Sequence, residues 1–130
     1  MEKTVIVLAG EIGGDDLAED IFKGDIYDKK YHLKEGGIFR SLHDMGEDLR
    51  TGFKVRLKKI PISQAFIEEC EREDKNPYMQ ASGGALLFVA LDIGLIYFLE
   101  EREIPYSVIG YLKENNDRLV YYDGVWKYLK

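Results

Sequence analysis

Two stretches of the chain, Thr4–Leu8 and Ala85–Leu91, are apolar from end to end, with no polar residue alternating along them. A strand that can show neither face to water must lie inside a sheet covered on both sides. These two runs therefore require a layered α/β (α+β) fold, a mixed sheet with helices packed on it. With 130 residues, 45% hydrophobic and 12% aromatic, the chain can build one such core. A single domain over residues 1–130 is the expectation.

The remaining periodicities fill in the layers. Gly10 to Gly14 ends the first strand, and Asp15 is placed to cap a short helix over Asp16–Phe22 that Gly24 would stop. Asp25–Lys34 has no clear period and reads as loop, with a brief strand at most at Asp25–Tyr27. Ile38, Leu42, Met45 and Leu49 recur every three to four residues and predict the clearest helix, from Gly37 to about Thr51. Phe53, Val55 and Leu57 alternate with Lys54, Arg56 and Lys58, the pattern of a strand with one wet face. Pro61 and Ser63 open another helix with Phe66, Ile67 and Cys70 inward, and a loop follows from Met79 to Gly84. Asp92 is placed to cap a helix over Gly94–Arg102. Tyr106–Leu112, Leu119–Tyr122 and Val125–Leu129 read as three strands, the last two joined by an Asp123-Gly124 hairpin turn. With the weak strand set aside, the order is βαβαβαβββ.

Charge and cysteine usage narrow the partners. A net charge of −6 without a basic stripe argues against nucleic acid. The lone Cys70 has no disulfide partner, and no Cys/His spacing suits a metal, so a reducing cytoplasm is expected. Met1–Lys3 leads straight into the first strand without an export leader. The apolar segment Ala85–Leu99 is short for a membrane span and is interrupted by Asp92 and Gly94, so no membrane association is expected.

Three segments, in order, resemble the C-terminal domain of the AIR synthase-related family, which includes aminoimidazole ribonucleotide synthase, phosphoribosylformylglycinamidine synthase and the hydrogenase expression/formation proteins. Glu35-Gly36-Gly37-Ile38-Phe39 resembles the family's acidic-Gly-Gly segment, and Leu57-Lys58-Lys59-Ile60-Pro61-Ile62 its strand-to-helix passage. Asn76-Pro77-Tyr78 through Ser82-Gly83-Gly84-Ala85-Leu86-Leu87 is similar to its Pro-to-Ser-Gly-x-Leu-Leu passage into a buried strand. The resemblance spans nearly the whole chain. It implies a domain that works against a separate ATP-binding, dimerising domain, with a glycine-rich turn closing over a phosphate-bearing substrate. It further implies that ATP and magnesium would arrive with such a partner, and that the chain needs no cofactor and is not catalytic alone. Where relatives carry an acidic residue and a hydroxyl before that turn, this chain has His32 and Lys34. Where hydrogenase-maturation relatives end in a reactive cysteine, it ends Trp126-Lys127-Tyr128-Leu129-Lys130.

The candidate ligand-binding residues are Gly36, Gly37, Glu35, Lys34, His32, Ser82 and Gly83. A Gly-Gly at a helix start can offer backbone amides to an anion with no Cβ in the way, or can simply allow a turn and tight packing. His32 and Lys34 can contact phosphate, or be solvated loop residues. Glu35 can face a magnesium nucleotide or cap the helix. Ser82 can donate to a ligand, and Gly83 can let the strand pass close to a neighbour. His43 reads as a boundary residue and Cys70 as a small core residue. Two functions stay open: a phosphate- or nucleotide-binding accessory domain serving a separate ATP-binding protein, or a non-catalytic interaction module that self-associates through a strand edge. A stand-alone enzyme is disfavoured, because the sequence offers no paired carboxylates, triad or metal-ligand set.

Overall fold

The structure is a computed structural model that describes residues 4–18, 21–22, 26–91 and 93–129. Its sheet is organised around β1 (Val5–Gly10), which pairs antiparallel with β4 (Ser82–Ala90) on one side and β5 (Tyr106–Lys113) on the other. Both apolar runs are thus interior strands. Along β1, Ile6 and Leu8 enter one core while Val7 and Ala9 enter the other. That split is why no polar residue alternates along the strand.

Beyond these strands lie β2 (Lys29–Leu33), β3 (Gly52–Arg56), β6 (Arg118–Tyr122) and β7 (Val125–Tyr128), giving the order β2-β4-β1-β5-β3-β6-β7. Every pairing is antiparallel except β3 with β6, so the sheet is mixed as expected. The Asp123-Gly124 turn forms with both residues at positive φ, 55° and 83°, and sets Tyr122 opposite Val125.

Helix α1 (Gly37–Leu49) buries Ile38, Leu42 and Met45 against Ile6, Leu8, Leu87 and Phe53, and Leu57 and Ile60 complete that core. Helix α2 (Gln64–Arg72) adds Phe66 to its margin and buries Cys70. On the opposite face α3 (Gly94–Glu101) buries Leu95 and Leu99 with Phe22, Leu86 and Phe88. Each such side chain taken out of water contributes about 1.5–3 kcal/mol.

Three expectations are corrected. Asp16–Ala18 is not helical: Leu17 N–H donates to the Gly83 carbonyl at 3.1 Å, which ties the segment to β4 rather than to its own next turn. Glu19, Asp20 and the expected stop at Gly24 lie outside the described residues. The segment read as loop contains edge strand β2, in which Tyr31 packs on the core and Leu33 is buried in it. The alternation was hidden by Lys29 and Lys30 at the strand's start. Ile26 and Tyr27, where a brief strand was expected, instead pack into the α3-side core outside any strand, and Asp25 is not among the described residues. Finally, β4 begins at Ser82 rather than after Gly84, because Ser82 pairs with Leu33 of β2. The expected cap Asp92 also lies outside the described residues.

Candidate functional site

The glycine-rich turn after β1 and the start of β4 are built into each other. Gly10 lies at φ 86°, and a Cβ there would collide with the Gly84 carbonyl oxygen. Glu11 N–H donates to that same carbonyl at 2.8 Å. Ser82 Oγ accepts the amides of Gly13 at 2.9 Å and of Gly84 at 3.2 Å, and its hydroxyl proton meets no acceptor among the described residues, which leaves it as a donor. A Cβ on Gly83 would collide with Asp16 Oδ1. This junction, with Leu17 and His32, borders a cleft of about 190 Å³.

On the other side of His32 lies a second cleft of about 140 Å³, lined by Lys30, Tyr31, His32, Lys34, Arg40, Ser41 and Asp44. Along β2 Tyr31 turns toward α1, whereas Lys30 and His32 pair with Phe88 and Leu86 of the α3-side core, so these two border the cleft through their backbone. Ser41 Oγ donates to the His32 carbonyl at 2.8 Å, with the Gly37 carbonyl at 3.2 Å as a second acceptor, and so holds α1 against β2. Arg40 Nε meets Asp44 Oδ1 at 3.1 Å, an exposed pair one helical turn apart. Such a pair is worth only a few tenths of a kcal/mol, so its guanidinium can exchange partners. Tyr31 donates to Asp48 Oδ2 at 2.7 Å. Burial, then that hydrogen bond and the Asp48 charge, push the phenol well above the ordinary tyrosine range.

Gly36 and Gly37 do begin α1, at φ 95° and 63°. Gly37 is buried, its N–H donates to the Lys34 carbonyl at 2.8 Å, and a Cβ on it would collide with the Tyr78 carbonyl oxygen of the Pro77–Met79 turn. Its amide is engaged and its lack of a side chain serves packing. Gly36, by contrast, faces Arg40, whose Cβ is 2.7 Å from where a Cβ would stand. Glu35 is exposed and gives α1 no side-chain cap. The candidates therefore divide: His32 and Lys34 share one cleft, and His32, Ser82 and Gly83 share the other.

Sequence reasoning missed Arg40, Lys30, Ser41 and Asp16. Lys30 was legible in the alternation Lys30, His32, Lys34, had that stretch been read as a strand. Arg40 was legible as the residue one helical turn after Gly36-Gly37. Cys70 is buried, and burial followed by the charges of Glu69 and Glu73 pushes its thiol up, which suits a core residue better than a nucleophile. His43 is half-buried beside the apolar stripe, and among the described residues no three His, Cys, Asp or Glu side chains form a metal-holding group.

No family model matches the chain, and no curated protein matches it in sequence. Solved structures match it in fold. E. coli HypE, a hydrogenase maturation protein, superposes with a TM-score of 0.77 at 14% identity over 100% of this chain and 50% of that one. HypE in its complex with HypF gives 0.72 at 14% over 100% of this chain and 53% of that one. T. maritima PurL complexed with ATP gives 0.69 at 16% over 98% of this chain and 24% of that one. The chain thus has the AIR synthase-related C-terminal-domain fold and spans about half the length of the HypE structures and a quarter of PurL. No helix among the described residues is long and apolar enough to cross a membrane.

Proposed function

We propose that this chain is a phosphate-binding accessory domain that works, in a reducing cytoplasm, with a separate ATP-binding protein. The observation that carries this reading is the meeting of the exposed cations Lys34 and Arg40 on one cleft beside the start of α1, in a chain whose net charge is −6. A locally positive cleft in an acidic protein draws small anions while the rest of the surface repels polyanions. Lys34 and Arg40 would hold phosphate oxygens, Arg40 by exchanging its exposed Asp44 partner. The second cleft, with the Ser82 hydroxyl and the Asp16 carboxylate, suits the uncharged, hydroxyl-rich part of a ribose phosphate. Nucleotide and magnesium belong to the partner in this reading. ATP in the PurL structure supports it only by likeness of fold.

A thermal-shift series with inorganic phosphate, ribose 5-phosphate and ADP tests it. Ligand at about 100 times its dissociation constant should stabilise the chain by about 2.7 kcal/mol. Lys34→Gln and Arg40→Gln, both at exposed positions, should abolish that shift while leaving the unliganded transition in place. A wild-type chain that none of the three ligands stabilises overturns the reading.

One observation favours a second reading, the interaction module. Edge strand β7 exposes all four of its residues, with Val125, Trp126 and Tyr128 among the large exposed hydrophobic side chains. A dimer on size exclusion that Trp126→Glu dissociates would support self-association through that edge.

A further inference from the structure

The sheet is covered unevenly. On the α3 side, Leu95, Leu99, Phe22 and Phe88 cover β4, β1 and the beginning of β5. Past Val108 the pairing register carries a different set of residues onto that same face. Val5 pairs with Tyr111 and Tyr111 with Lys54, so these lie on one side, and Arg56 follows two residues after Lys54. Across the parallel pair, Arg56 faces Tyr121, which in turn faces Trp126. None of the side chains Lys54, Arg56, Tyr121, Trp126 and Tyr128 belongs to either core.

A bulge hollows this face. In β5 the register skips Ile109: Ile6 is opposite Gly110 and Val7 opposite Val108. Gly110 also faces Val55, whose side chain lies in the α1-side core together with Ile109. Two successive residues thus turn to the α1 side, and the open face lacks a side chain there. The result is a hollow of about 250 Å³ floored by the Ile109–Gly110 backbone and walled by Val5, Val108, Tyr111, Trp126, Lys54 and Arg56.

The cations around it are organised. Lys54 Nζ lies 4.6 Å from the Trp126 ring centroid, and Arg56 Cζ lies 5.1 Å from Trp126 and 5.5 Å from Tyr121. Lys58 Nζ lies 5.3 Å from Tyr121. Among the described residues none of these three has a carboxylate within ion-pair distance. Arginine, tryptophan and tyrosine are the residues that most often dominate binding energy in protein interfaces. The ring faces are already stacked with the chain's own cations, which makes them poor platforms for nucleobases but leaves N–H groups of the cations for carboxylates.

We propose that this open face, continuous with the exposed edge of β7, docks an extended acidic segment of a partner protein. The segment runs along this face over β3, sets alternate carboxylates on Lys54, Arg56 and Lys58, and lays an apolar side chain in the hollow over Gly110. The phosphate cleft borders β2, at the opposite edge of the sheet, so this site stands or falls independently of the one under Proposed function.

Trp126 is the only tryptophan in the chain and therefore reports binding directly. The probes are a terminally blocked peptide of alternating glutamate and valine, the same peptide with lysine for glutamate, and a single-stranded oligothymidylate. The expected result is a saturable shift of Trp126 emission with the acidic peptide alone. Arg56→Gln, at an exposed position, should weaken that binding about tenfold by removing a charge-assisted contact. No emission change at any soluble peptide concentration, preference for the oligonucleotide, or equal binding by Arg56→Gln overturns the proposal. So does a dimer of the chain that covers Lys54 and Arg56.

Discussion

The two ends of the sheet differ in what they ask of their side chains. Where β4 and β1 meet, both faces are sealed, and every residue from Gly84 to Ala90 is buried. At β7 all four residues are exposed, and the Trp126 ring there meets Lys54, Arg56 and the edge of Tyr121 rather than a buried core. One end is therefore held by excluded water and close packing, whereas the other keeps its apolar surface through pairing and cation–π contact. Stability resides at the first end, and the chain can change the second without unfolding.

The sharpest way to break that contrast is Phe88→Ala. Phe88 is fully buried and its ring sits 4.9 Å from Phe22 and 5.0 Å from Tyr27. Truncation should cost about 3–5 kcal/mol in urea unfolding, since it removes a large side chain from a site sealed on all sides. A loss below about 1 kcal/mol would mean that this half of the sheet is looser than its burial implies.

Gly37→Ala tests whether the start of α1 belongs to the rigid end. The new Cβ would meet the Tyr78 carbonyl at a residue already at φ 63°. The left-handed backbone alone should cost about 1–3 kcal/mol, and displacing the Pro77–Met79 turn adds to it. Phosphate affinity should follow Lys34 and Arg40 instead, so a destabilised Gly37→Ala that still binds phosphate separates packing from recognition.

How much of this was legible follows the same division. The sealed strands could be read from their unbroken apolar runs, α1 from its stripe, and the last hairpin from Asp123-Gly124, because burial and left-handed turns leave direct marks on residue choice. Edge strand β2 could not, since only Tyr31 and Leu33 of its five residues pack on the core. Asp16–Ala18 misled because a local capping signal was overridden by a hydrogen bond to Gly83, distant in sequence. The cleft was half legible: His32 and Lys34 stood out, but Arg40 joins them only through the packing of α1 on β2. The open face was invisible, because a strand reading Lys54-Val55-Arg56 looks the same whether or not a helix covers its wet side.

A smaller effect comes from Tyr31, which links β2 to α1 through Asp48. Its phenol is raised above the ordinary value of 10.0, so the folded state favours the protonated form. The stability this adds is fully present below pH 10.0 and is lost as pH rises from there toward the folded-state value. Tyr31→Phe should cost about 1 kcal/mol or less at neutral pH, the pair being partly exposed, and should flatten the alkaline fall in stability. The slope that remains would come from Tyr78, raised chiefly by burial, and Tyr106, raised chiefly by its hydrogen bond to Glu100.

Trp126→Ala should have the smallest effect on stability, although tryptophan is the largest side chain in the protein. Trp126 is 36% exposed and rests on Tyr121, Lys54 and Arg56, outside either core. Exposed cation–π contacts are worth about 0.5–1 kcal/mol, so the unfolding midpoint should fall by no more than about 1 kcal/mol in free-energy terms. Compared with Phe88→Ala under the same conditions, the result gives the ratio of the two ends directly. If Trp126→Ala approached the cost of Phe88→Ala, the open face would be a structural part of the fold rather than a surface kept free for a partner.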